Sequence, residues 1–132
     1  MCLQVKEGTL PKIAKKDIVC YKHLITTSYG YFTTYMHEKV ELGNTYSSKL
    51  DPIVYNEINM GLHSFSSLKS TILDAKDELK PYFSHTYIIV KCVIPKGATY
   101  YKGTFQTREC VNSYVSDQIT YTNQILKTIA RK

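Results

Sequence analysis

Apolar residues recur at two different periods along this chain. From Ser67 onward, Leu68, Ile72, Ala75 and Leu79 follow one another at spacings of four, three and four. That is one apolar stripe of a helix. Ser64, Ser66 and Ser67 stand where a side-chain oxygen caps the first free N–H groups. Lys69, Asp74, Lys76, Asp77, Glu78 and Lys80 fall largely on the wet side, and Pro81 ends the element, so a helix is predicted over Ser67–Lys80. Elsewhere the period is two. Thr86–Ile94 is apolar on both faces apart from Lys91, the pattern of a central strand. Asp17–Leu24 is a shorter strand. Ile25–Tyr35, rich in Thr and Tyr around Gly30, is a second strand or a hairpin. Gly43-Asn44 marks a turn, and Ile53–Met60 is a short strand leading into Gly61. Ala98–Phe105 is expected as an edge strand broken by Gly103. Tyr114–Tyr121 is expected as a half-exposed strand, and Gln124–Lys132 as a short basic helix. No internal repeat is visible.

These elements predict an α+β domain with a twisted, mostly antiparallel sheet and one principal helix. Residues 1–16 are expected to be an irregular basic lead-in and residues 17–132 a single domain. A chain of 132 residues can bury a core without metal or disulfide support. The segment Met1–Glu7 opens no secretory signal, and no apolar run reaches the length of a membrane span. The expectation is a cytoplasmic protein whose Cys2, Cys20, Cys92 and Cys110 remain thiols.

Charge and aromatic content add one further point. The net charge is +6, and Tyr is abundant, with 12 Tyr, 4 Phe and no Trp. A basic surface favours anionic partners. Arg is confined to Arg108 and Arg131, whereas a reader of DNA bases relies on bidentate Arg contacts. Nucleic acid is therefore the less favoured partner, behind an anionic small molecule or a host protein.

Candidate chemistry is sparse. His23, His37, His63 and His85 have no metal-ligand spacing to one another or to Cys. There is no Gly-x-Ser-x-Gly elbow and no phosphate loop, and the carboxylates cannot be assigned as an acid/base pair. No catalytic residue, metal or cofactor is expected. The best candidate is the start of the predicted helix, where His63, Ser64, Ser66 and Ser67 could meet an anion with help from the helix dipole. Plain capping is the competing reading of the same serines.

Two resemblances bear on the whole chain. Val19-Cys20-Tyr21-Lys22, Gly61-Leu62-His63-Ser64-Phe65, Lys91-Cys92-Val93-Ile94-Pro95-Lys96-Gly97-Ala98 and Tyr114-Val115-Ser116-Asp117-Gln118-Ile119 resemble a family of small uncharacterised bacteriophage and prophage proteins. Phe65-Ser66-Ser67 and Ile94-Pro95-Lys96-Gly97 resemble parts of the ADP-ribosyltransferase pattern. The second resemblance implies an ADP-ribosyltransferase-like fold with Lys22 at the early basic position of the site. The chain lacks the Glu-x-Glu of that pattern. The resulting expectation is a non-enzymatic, phage-type accessory protein that binds an anionic ligand, such as a nucleotide, or a host factor, through Lys22, His63, Ser64, Ser66 and Ser67. The alternatives are a divergent transferase using Glu109 or Asp117, and a virion or assembly component without a small-molecule site.

Overall fold

The doubly apolar run Thr86–Ile94 holds the middle of the architecture, with strands on both sides. In the computed structural model residues 3–34, 38–58, 60–78, 86–105 and 111–130 are described. They form β1 (Leu3–Gln4), β2 (Lys12–Ile13), β3 (Ile18–Thr27), β4 (Gly30–Thr33), β5 (Lys39–Val40), β6 (Thr45–Ser47), β7 (Glu57–Ile58) and β8 (Leu62–Phe65). The single described helix, α1 (Leu68–Glu78), follows. Then come β9 (Thr86–Ile94), β10 (Thr99–Phe105), β11 (Val111–Ser116) and β12 (Gln118–Ile129). All strands join one antiparallel sheet in the order β6-β12-β9-β3-β8-β11-β10-β1-β7. The pair β4–β5 continues from β3, and β2 lies against β10.

This corrects the α+β class and its ADP-ribosyltransferase-like variant. The molecule is sheet-dominated, with one short helix laid on a twelve-stranded sheet. The excess of strand comes from segments expected to be something else. The lead-in supplies β1 and β2, and it buries Leu3, Val5 and Ala14, so residues 3–14 belong to the folded body. The tail expected to be a helix is instead the end of β12, paired along β9 from Thr120 to Ile129. The expected strand Tyr114–Tyr121 is two strands that meet at Asp117. There Asp117 Oδ1 accepts from Thr99 N–H at 2.9 Å, and Asp117 N–H donates to Thr99 O at 3.0 Å. β10 is unbroken and is not an edge, because β11 flanks one side and β1 with β2 the other. Gly103 does not interrupt it. A Cβ at that position would collide with the backbone carbonyl of Gln4, so the glycine is what allows β1 to approach.

Period-two alternation divides the apolar residues between two cores. On one face of β3 and β9 lie Cys20, Leu24, Ile88, Val90, Cys92 and Ile94, joined by Ile119 and Tyr121 of β12 and by Val40 of β5. The second core gathers Leu3, Ile58, Phe65, Tyr101, Phe105 and Val115. Ile89 and Val90 are adjacent, face opposite ways, and are both fully buried, as a strand paired on both sides requires. Helix α1 begins as the serines predict. Ser67 Oγ accepts from Ser70 N–H at 3.1 Å, which is a helix N-cap. Its buried side differs from the expected stripe: Thr71, Asp74 and Ala75 face inward, Leu68 and Ile72 are only half-buried, and Leu73 is exposed. The reason is polar. Asp74 is drawn inward to His23 of β3, with the imidazole Nε2–H donating to Oδ2 at 2.7 Å. Leu79, Lys80 and Pro81 lie outside the described residues.

Candidate functional site

The residues nominated from sequence do not form one site. Tyr21 of β3 pairs with Phe65 of β8, which brings Lys22 level with Ser64 and His23 level with His63. Neighbouring strand residues point to opposite faces, so Lys22 and Ser64 share one face and His63 lies on the other. His63 is spent on packing. Its ring is 5.2 Å from that of Phe105, and burial, helped by the positive charge of Lys22, lowers its pKa to about 3. It is therefore neutral at physiological pH and offers an anion no charge. Ser64 is fully buried beside the Cys20 thiol. Ser66 Oγ–H donates to Asn112 O at 3.1 Å, and Ser67 caps the helix. Lys22 is half-buried among apolar neighbours, and burial lowers its pKa. Ser66 and Ser67 are thus engaged within the fold, whereas Ser64 Oγ and His63 Nε2 are buried without a hydrogen-bond partner.

Two other clusters could carry chemistry. His23 and Asp74 form a hydrogen-bonded pair whose side chains are both almost wholly buried. His23 Nδ1 and Asp74 Oδ1 have no hydrogen-bond partner. The pair sits between Phe65, Tyr87 and the helix, where no substrate can reach it, and its effect is to hold α1 on the sheet. Cys20 and Cys92 stand directly opposite one another on β3 and β9 as free thiols. Burial pushes the Cys20 thiol up to about 11 and the Cys92 thiol well above its usual range, which makes both poor nucleophiles. Cys2, Cys110, His37, His85 and Glu109 lie outside the described residues. Asp117, the other acid considered for transfer chemistry, is engaged at the β10–β12 corner.

A different region is open and charged. β1 meets β10 at Gln4↔Thr104, and β2 meets the same edge at Lys12↔Tyr100. Between these pairings the chain from Val5 to Pro11 loops out opposite Tyr101–Gly103. A turn shapes the loop: Thr9 N–H donates to Lys6 O at 3.1 Å, and Gly8 takes the positive φ of 82° that this turn needs. The space left beneath is a groove of about 780 Å³. Lys6, Lys12 and Lys102 line it with Thr9, Thr104 and Asn112, and no carboxylate is among its described lining residues. All three lysines are exposed. Lys102, Thr104 and Asn112 belong to the same sheet face as Tyr114, which is level with Lys102 on one side and Ser64 on the other.

No family model, curated protein or solved structure matches this chain. Neither resemblance read from the sequence gains support from known proteins, and the site stands on its own geometry. In the sequence the lead-in is marked only as basic and irregular, which gives Lys6 and Lys12 no place in the fold. The meeting of Lys6 and Lys12 with Lys102, far away in the chain, depends on strand pairing that no local pattern announces. The nearest sequence signal was Gly103, which marks a close backbone approach as well as a break. No helix among the described residues is long and apolar enough to cross a membrane, and no group of His, Cys, Asp and Glu among them could hold a metal ion.

Proposed function

We propose that this protein is a non-enzymatic binding module for an anionic ligand, and that the ligand occupies the groove between the Val5–Pro11 loop and β10. One observation carries the reading. Three exposed lysines line one open groove with hydroxyl and amide groups, and no carboxylate is among its described lining residues. Like charges lining one groove repel one another, and a bound anion relieves that repulsion. The net charge of +6 adds a long-range attraction of the same sign. The non-enzymatic part rests on where the reactive groups lie. The His23–Asp74 pair is sealed under the helix, the two described thiols are buried, and Asp117 is tied into a strand corner.

Calorimetric titration of inorganic polyphosphate into the protein at low salt tests this reading. Saturable binding that weakens as salt rises is expected, because exposed charges are screened over about 10 Å at 0.1 M. A Lys6→Ala, Lys12→Ala, Lys102→Ala variant is expected to lose it. These side chains are exposed, so their removal leaves both cores intact. Absence of binding, or equal binding by the variant, overturns the reading.

A further inference from the structure

One cation of the molecule stands where a cation is costly. Lys22 lies on β3 between Cys20 and Leu24 on the same face and directly across from Val90 of β9, and these three neighbours are fully buried. The strand along the other edge of β3 changes at this point. β8 meets it at Tyr21, β4 takes over at Leu24, and Lys22 and His23 fall between the two. Lys22 is half-buried, yet its amine does not escape into water. Desolvation is the largest influence on its proton affinity and pulls its pKa down. Glu38, an exposed carboxylate ahead of β5, has a smaller influence than burial, and Lys22 forms no ion pair among the described residues. A second unpartnered group stands beside it. Ser64 of β8 is level with Lys22 on the same face, is fully buried, and its Oγ has no hydrogen-bond partner. The Cys20 thiol is common to both, since it lies beside Ser64 and feels the charge of Lys22, but a thiol is only a weak donor. A desolvated cation and a buried hydroxyl, side by side and both without partners, are two costs at one place.

We infer that Lys22 and Ser64 form a second binding site, separate from the groove, for the carboxylate of an apolar monoacid, with Lys22 supplying the counter-charge and Ser64 Oγ–H donating to a carboxylate oxygen. Lys6, Lys12 and Lys102 have no part in it. One lysine in apolar surroundings selects a single negative charge. A phosphate monoester carries about two at neutral pH, so one would remain uncompensated against Cys20, Leu24 and Val90. The rest of the ligand is apolar because its surroundings are. Leu62 lies two residues from Ser64 along β8, and Tyr114 lies across from Ser64 on β11. Both are half-buried on the same face and pack against the same core. They are the surface on which an alkyl chain or an aromatic ring of the acid rests.

Calorimetric titration with benzoate, hexanoate and phenyl phosphate, joined to urea unfolding of each variant, tests this site. Lys22→Met keeps the apolar stem and removes the charge. It is expected to weaken carboxylate binding about ten-fold or more. It is also expected to raise the urea midpoint, because a desolvated charge without a partner has gone. Ser64→Ala should weaken binding about three-fold or more with no fall in the midpoint. The Lys6→Ala, Lys12→Ala, Lys102→Ala variant should bind benzoate and hexanoate as the native protein does, which separates this site from the groove. In that variant phenyl phosphate should bind more weakly than benzoate. Binding of neither carboxylate, or equal binding by Lys22→Met, overturns the site. A lower midpoint for Lys22→Met does so too, since the fold itself would then gain from the lysine. Phenyl phosphate binding as well as benzoate in the triple variant overturns the choice of a monocarboxylate.

Discussion

His63 shows how a single side chain can record its surroundings. Its imidazole lies against Phe105, with burial and the charge of Lys22 opposing protonation. An unfolded His63 takes up a proton near pH 6.5, while the folded one does so only near 3. Between those values the unfolded chain binds more protons, so the contribution is fully present above pH 6.5 and is lost progressively as pH falls toward 3. The slope approaches about 1.4 kcal/mol per pH unit if burial is maintained through the window. Urea unfolding at pH 7, 5.5 and 4.5 should show this decline in the native protein. A His63→Phe variant, which keeps a ring against Phe105 and has no proton to take up, should flatten it. This behaviour was not legible in the sequence, where His63 sits beside serines and reads as part of an anion site. Only alternation along β8, with His63 on one face and Ser64 on the other, separates the two roles.

At the level of elements, helix α1 is held down by one polar contact as much as by apolar packing. Asp74→Ala leaves His23 buried without its partner and should cost about 3–5 kcal/mol, read as a shift in the denaturant midpoint at unchanged m. Strand β10 depends on Gly103 in a different way. Gly103→Ala puts a methyl group against the Gln4 carbonyl, so β1 should detach. Hydrogen exchange should then show loss of protection at Leu3 and Gln4, and binding in the adjoining groove should weaken with it. Elements differed in how plainly the sequence announced them. β9 was clear because apolar residues on both faces leave little choice but a central strand. The helix was clear from its spacing and its Ser cap, although Asp74 turned its buried side. The end of β12 was obscured by its own irregularity. Register shifts after Tyr121 and Ile125 interrupt the alternation, and Thr122 fills the first of them by donating from Oγ1 to Lys91 O at 2.6 Å. With the period of two broken, Ile125, Leu126 and Ile129 fall at spacings that suit a helix. Bulges of this kind also twist a sheet border away from pairing with other chains.

On the scale of the whole molecule, the groove exists because distant segments share one strand: β1 and β2 come from the beginning of the chain, and both settle on β10. The same habit runs through the centre of the sheet. β9 accepts β3 from the first part of the chain and β12 from the last, and these are the most extensive pairings in the molecule. The helix and the β3–β4, β4–β5 and β10–β11 pairings can form from neighbours alone, but the centre of the sheet cannot. During translation β3 therefore waits, one border uncovered, until β9 has been synthesised, and β9 waits in turn for β12. Loops of that length must close before any contact rewards them, which places such a chain among the slow folders, on a scale of milliseconds to seconds. A nascent chain paused between β9 and β12 would carry its most apolar strand with a bare edge, the state in which encounter with a chaperone or with a second nascent copy decides whether the protein matures or aggregates.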